Sequence, residues 1–112
     1  MKHLVALAIA AIFMSSAQAA DLGQCRIAGS STLFTIESDA ALTDEVVRLM
    51  NEAVNVADSE QWIISSRPAW VWASEAKVAC GKAYGYLRYN VRDEQNLDNC
   101  ECFYRRMQQY MY

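Results

Sequence analysis

Hydrophobic residues recur at helical spacing along most of the chain beyond residue 43. One set repeats every three or four residues and would lie on one face of a helix: Val46, Met50, Ala53 and Ala57. Thr43 is placed to cap this helix, and Asp44 and Glu45 in its first turn suit the helix dipole. The pattern predicts a first helix from about Thr43 to Asp58.

A second periodic stretch begins after Ser66 and Pro68. Ser66 can cap a helix, and proline is tolerated in a first turn, where its missing N–H would be unpaired anyway. We therefore expect a second helix from about Pro68 to Tyr89. Its inward face would consist of Ala69, Trp72, Ala73, Ala76, Cys80, Ala83, Tyr84 and Leu87. Gly81 and Gly85 each cost a helix about 1 kcal/mol relative to alanine, so we expect them to serve packing or binding, with close helix packing favoured.

The third helix is predicted to follow a turn at residues 89–92, with Asp93 as its cap. Its apolar residues also repeat at three and four positions and form an inward stripe: Leu97, Cys100, Tyr104, Met107 and Met111. A turn this short makes the second and third helices an antiparallel hairpin. The predicted fold is mostly α: a small, disulfide-stapled domain of about three helices with an extended N-terminal segment.

The segments outside these helices carry weaker patterns. Residues 21–31 are small and polar and indicate a loop anchored by Cys25. Residues 32–36 are β-branched and aromatic, which favours one short strand, used as an extended cover on the helices. In the connection between the first two helices, Trp62, Ile63 and Ile64 are expected to enter the core.

The N-terminus has the pattern of a secretory signal peptide. Lys2 and His3 precede an apolar run over residues 4–14, and Ala17 and Ala19 match an A-x-A cleavage site. Eleven apolar residues are too few for a bilayer core, which needs about 20. We expect residues 1–19 to be removed and residues 20–112 to form one periplasmic or secreted domain, with no stable membrane insertion after cleavage.

Composition then restricts the chemistry. Residues 20–112 contain nine Lys and Arg against thirteen Asp and Glu, a formal charge of −4, which disfavours nucleic acid as a partner. The one histidine, His3, lies in the predicted signal peptide, so His-based catalysis is not expected. Carboxylate pairs such as Asp93 with Glu94, or Glu60 with Glu75, leave a small hydrolase as a distant third hypothesis. We expect no enzyme activity and no cofactor.

Four cysteines in a short exported chain indicate two disulfides. A zinc site is the rival interpretation, but the cysteines lack paired C-x₂-C spacing, and we expect no metal. A redox-active Cys100-Glu101-Cys102 is a second alternative, although it lacks C-x-x-C spacing.

Helix geometry favours one pairing of the cysteines. Cys100 lies in the inward stripe, and Cys102 lies about 160° away on the same helix. In a hairpin turning near residue 91, Cys80 faces the segment that begins at Cys100. We predict Cys80–Cys100 and Cys25–Cys102; Cys80–Cys102 with Cys25–Cys100 remains the alternative.

Aromatic and arginine side chains are the candidate binding residues, because Tyr, Trp and Arg are enriched in protein-binding hot spots. The candidates are Tyr86, Arg88, Tyr89, Arg92, Arg105, Arg106 and Tyr110. They could equally form an ordinary solvated helix surface, and they would also suit a homodimer.

Two classes of function fit these patterns. The first is a small exported protein that binds another protein, such as an inhibitor, an immunity protein or an accessory subunit of the cell envelope. The second is a periplasmic stress or acid chaperone, in which protonation of the carboxylates would drive opening. In layout, the chain resembles both periplasmic immunity proteins and acid-stress chaperones of Gram-negative bacteria. Two disulfides and a rigid hairpin favour the first class, because a chaperone that must open gains little from two disulfides.

Overall fold

A computed structural model describes Cys25 and residues 31–112. The described chain forms a 3₁₀ helix, Thr32–Thr35, followed by α1 (Asp39–Ala57), α2 (Glu60–Ile63), α3 (Ala69–Leu87) and α4 (Glu94–Met111), with no strand among the described residues. The mostly helical fold with two disulfides agrees with the prediction. The predicted signal peptide lies outside the described residues.

Helix α1 begins four residues earlier than predicted. Ser38, not Thr43, is its N-cap, and the Ser38 hydroxyl accepts a hydrogen bond from the backbone N–H of Ala41 at 3.2 Å. Thr43 lies inside the helix and donates its hydroxyl to the carbonyl of Asp39. The buried residues keep helical spacing from the new start: Leu42, Val46, Leu49, Ala53 and Val56.

The connection between α1 and α3 is more exposed than predicted. Trp62 is half-buried and packs against the core, as expected. Ile63 and Ile64, at the end of α2, are 48% and 84% exposed and do not pack in the core. Helix α3 then begins at Ala69, one residue later than predicted, and no side chain caps it, so Ser66 is not the cap.

Helix α3 is the central element, with extensive contacts to both α1 and α4. Small residues along it let both neighbours approach: Ala69, Ala73, Ala76, Ala79 and Ala83 are all buried. The Cys80–Cys100 disulfide joins α3 to α4 across the hairpin, with the two Cα atoms 4.5 Å apart.

The turn between α3 and α4 follows the predicted signals. Asn90 takes a left-handed conformation (φ 60°), which asparagine tolerates better than most residues. Asp93 caps α4, accepting a hydrogen bond from the Asn96 backbone N–H at 3.0 Å. The inward stripe of α4 is confirmed: Leu97, Cys100, Tyr104 and Met107 are buried, and Met111 packs against the core.

The segment before α1 covers the opposite side of α4. Cys25 is bonded to Cys102, and Leu33 is buried. Residues 32–35 form a 3₁₀ helix, so the prediction of a strand is wrong; the Ser31 hydroxyl accepts the Leu33 N–H and starts a tight turn instead. This cover explains why Cys102 is only 4% exposed although it lies away from the stripe.

Candidate binding site

The seven predicted binding residues do not lie on one surface. Tyr86, Arg88 and Tyr89 are at the end of the hairpin formed by the α3–α4 turn. Arg105, Arg106 and Tyr110 are in the C-terminal half of α4, where Tyr110 is about 24 Å along the helix axis from Glu94. They therefore form two separate groups, with Arg92 between α3 and α4.

The group near the C-terminus is engaged within the protein. The Arg105 guanidinium pairs with Glu101 at 2.9 Å. The guanidinium of Arg106 lies 5.1 Å from the ring centroid of Trp72, and the Tyr110 ring stacks on the same indole at 6.3 Å. The two contacts with Trp72 attach α4 to α3, and all three contacts leave this group less available to a partner than the sequence suggested.

Arg92 also has an internal role. Its Nε donates to Asp39 Oδ1 at 2.8 Å, and its two terminal nitrogens donate to the carbonyls of Ile36 and Glu37 at 2.7 and 2.6 Å. These three contacts hold the start of α1 against the hairpin turn.

An open groove of about 690 Å³ lies between the end of α3 and the beginning of α4. Tyr86 and Tyr89 line it and are 45% and 82% exposed. We define the hairpin groove by its lining residues: Lys82, Gly85, Tyr86, Tyr89, Gln95, Asn96 and Asn99. The two tyrosines were predicted as binding residues and Gly85 as a packing or binding position, whereas the lysine and the three carboxamides were not predicted. The antiparallel register of the hairpin could have predicted these lining residues, because residues shortly before and shortly after a turn face each other.

Two of the groove carboxamides are held in place by neighbours. Asn99 is buried, and its side-chain oxygen accepts the Cys25 N–H at 3.1 Å. Asn96 donates from its amide nitrogen to the capping carboxylate of Asp93 at 2.7 Å. The polar wall of the groove is thus fixed by the α4 cap on one side and by the disulfide-anchored segment on the other.

Gly85 has no packing explanation within the described chain. A Cβ built there would meet no atom within 4 Å, whereas a Cβ at Gly81 would lie 3.9 Å from the Met50 sulfur. A Cβ would fit at both positions, at ordinary contact distance from Met50 at Gly81 and in open space at Gly85, so close helix packing requires glycine at neither position. The lack of a side chain at Gly85 instead opens the α3 backbone to whatever occupies the hairpin groove.

Charge is unevenly distributed around the groove. Arg48, Arg92 and Arg105 form ion pairs. Lys77, Lys82 and Arg88, all on α3 or directly after it, make no ion pair with another described residue. Within the described part of the chain, no carboxylate is among the groove-lining residues, although the chain as a whole has a formal charge of −3.

The buried carboxylate of Glu101 lies on another face of α4. The Ser31 hydroxyl and the Thr32 hydroxyl each donate a hydrogen bond to this carboxylate. The Thr32 backbone N–H, at 2.8 Å, and the Arg105 guanidinium donate to it as well. Desolvation raises the pKa of Glu101, but these hydrogen bonds and the charge of Arg105 outweigh it, so the pKa lies below its usual range. Glu101 attaches the 3₁₀ helix to α4.

The cysteines carry structural bonds in this fold. All four are in the disulfides Cys25–Cys102 and Cys80–Cys100, the pairing that helix geometry favoured, so Cys100 and Cys102 are not bonded to each other. The described part of the chain contains no group of three or more metal-ligating side chains. None of its helices combines the length and apolar character needed to cross a membrane. Comparisons with protein-family models, with curated proteins and with solved structures found no match for this chain.

Proposed function

We propose that this protein is a small exported binding protein, such as an inhibitor, an immunity protein or an accessory subunit, and that it binds its partner through the hairpin groove. The observation that carries the proposal is the exposure of Tyr86 and Tyr89 on that groove. Tyrosine supplies a large contact area at low conformational-entropy cost and is common in binding hot spots.

The scaffold beneath the groove supports this function. The Cys80–Cys100 bond ties α3 to α4, and Cys25–Cys102 attaches the N-terminal segment to α4 close to Asn99. A surface that is already fixed before association loses little conformational entropy when its partner binds. This rigidity favours a dedicated binder over a chaperone that opens.

The disulfides support the proposed location. Two disulfides fit an extracellular or secreted protein, because such bonds persist in oxidising compartments. The signal-like pattern at residues 1–19 supports export to the periplasm or the medium. Asp93, one of the carboxylates considered for hydrolysis, is engaged as a helix cap, which supports binding rather than catalysis.

Affinity capture from cell-envelope extract tests the proposal. The bait is the oxidised protein, compared with a Tyr86→Ala/Tyr89→Ala variant and with Tyr112→Ala as a matched control, because Tyr112 is 90% exposed and lies at the other end of α4. We expect one stoichiometric partner that the double variant loses and the control retains.

Two other results would contradict the proposal. Many weakly held clients, retained better as the pH falls, would indicate a chaperone. Recovery of a second copy of the chain alone would assign the groove to a homodimer.

A further inference from the structure

We infer that the hairpin groove binds an extended, acidic segment of its partner, with an Asp or Glu side chain of that segment on Lys82. This inference rests on the proposed function and adds the chemistry of the partner. Charge is the first argument. Among the described residues that line the groove, Lys82 is the one cationic side chain and none is a carboxylate, and Lys82 makes no ion pair with another described residue.

The charges around Lys82 come from both helices of the hairpin. Arg88, exposed and without an ion pair to a described residue, follows α3 directly and adds positive charge at the same end of the hairpin. The acid on α3, Glu75, is seven residues before Lys82, about 10 Å along the axis. On the facing side, Asp93, Glu94 and Asp98 lie at the same end of the hairpin, but none of them is among the described residues that line the groove. Attraction for a carboxylate is therefore confined to Lys82 inside the groove, and the acidic protein would repel it elsewhere.

Gly85 and the carboxamides indicate an extended backbone. A partner main chain can approach α3 closely at Gly85, where an added Cβ would meet nothing within 4 Å. Gln95 and Asn96 line the opposite side of the groove on α4. Carboxamides both donate and accept hydrogen bonds, which matches the alternating N–H and C=O groups of an extended peptide. Tyr86 and Tyr89 would pack against the aliphatic parts of its side chains.

The groove does not have the chemistry of a nucleic-acid site. Binding to a phosphodiester backbone relies on several Lys and Arg side chains acting together. A single lysine among seven lining residues provides one such contact. One cation with aromatic and carboxamide neighbours instead matches a peptide that carries one or two carboxylates.

Peptide display tests the inference without knowledge of the partner. The probe is a library of random 12-residue peptides selected on the oxidised protein and counter-selected on Gly85→Leu, whose side chain would fill the groove. We expect the selected peptides to be enriched in Asp and Glu relative to the library. Circular dichroism and thermal melting establish that each variant is folded.

Reversing the charge of Lys82 then distinguishes a specific ion pair with the peptide from general electrostatic attraction. Lys82→Glu should weaken binding of the selected peptides about tenfold or more, whereas Lys77→Glu, the same change on the same helix outside the groove lining, should weaken it less than about threefold. Exchanging the peptide carboxylate for lysine should restore binding to Lys82→Glu. Selected peptides that are neutral or basic, equal effects of the two reversals, or no peptide that Gly85→Leu loses would overturn the inference.

The captured partner distinguishes failure of the inference from failure of the proposed function. If its binding requires Tyr86 and Tyr89 but is unchanged by Lys82→Glu, the acidic segment is wrong and the proposed function stands. If its binding requires neither the tyrosines nor the lysine, both are wrong.

Discussion

Arg92, in the turn of the helical hairpin, holds Asp39 at the start of α1, with Nε and Oδ1 2.8 Å apart. The same guanidinium donates to the carbonyls of Ile36 and Glu37, so one side chain joins three residues at and just before the start of α1 to the turn. This arrangement needs the planar fork of arginine, since lysine has a single nitrogen. Arg92 is therefore a structural residue of the fold.

Replacing Arg92 should reduce stability. We expect Arg92→Ala to lower the free energy of unfolding by about 1–2 kcal/mol, because it removes charge-assisted hydrogen bonds. Solvent screening keeps the loss in this range, since the arginine is only half-buried. Arg92→Lys should recover less than half of the loss. Urea denaturation measures both variants. Arg88→Ala, an exposed arginine nearby, is the control and should stay within about 0.5 kcal/mol of the wild type.

Glu101 should make stability depend on pH. Its folded-state pKa is lowered, so its contribution is complete above the unfolded pKa, about 4.3, and is lost as the pH falls through the folded pKa. We expect Glu101→Gln to cost about 1–3 kcal/mol at pH 7, because the charge-assisted bonds from Ser31, Thr32 and Arg105 are weakened. The difference from the wild type should shrink between about pH 5 and pH 3.

Urea denaturation at pH 7, 5 and 3 measures that difference. Asp44→Asn, at an exposed carboxylate of α1, is the matched control and should change stability little at each pH. A cost of Glu101→Gln that stays constant from pH 7 to pH 3 would show that ionisation of Glu101 does not stabilise the fold.

Gly85→Ala should stabilise the protein. Glycine in a helix interior costs about 1 kcal/mol relative to alanine, and the new methyl group would meet nothing within 4 Å. We expect Gly85→Ala to raise the free energy of unfolding by about 0.5–1 kcal/mol, measured by thermal or urea denaturation. Gly81→Ala, with the Met50 sulfur at ordinary contact distance, should do the same. A destabilising Gly85→Ala would mean that its surroundings are closed.

The two disulfides should contribute unequally. Cys25 and Cys102 are separated by 77 residues, and Cys80 and Cys100 by 20. Chain entropy alone assigns about 4.5 and about 3 kcal/mol to these loops. We therefore expect Cys25→Ala/Cys102→Ala to lower stability more than Cys80→Ala/Cys100→Ala, as measured by urea denaturation of the two double variants. The reverse order would show that packing around the buried Cys80–Cys100 bond outweighs loop length.

Local rules were enough to predict the hairpin. Asp93 as a cap, the stripe from Leu97 to Met107 and the Cys80–Cys100 bond all follow from helix periodicity and a short turn. These features depend on residues close to one another in sequence or related by hairpin symmetry.

Contacts between segments that are distant in sequence could not be predicted from helix periodicity and turn length. Arg92 appeared to be an exposed binding residue because its partners at residues 36–39 lie more than 50 positions away. Ile64 was expected in the core from its hydrophobicity, but α2 ends just before it and leaves it 84% exposed. The hairpin groove was only partly foreseen, because carboxamides carry no strong sequence signal for binding.

Tyrosine nitration with and without the captured partner, read by mass spectrometry, tests the central claim most directly. Tyr89 and Tyr112 are 82% and 90% exposed, so both should react readily in the free protein, and Tyr112 serves as an internal control. If the hairpin groove is the binding site, the partner should slow modification of Tyr86 and Tyr89 several-fold and leave Tyr112 unchanged. Unchanged modification of Tyr86 and Tyr89 in a saturated complex would contradict the claim that this protein acts through its hairpin groove.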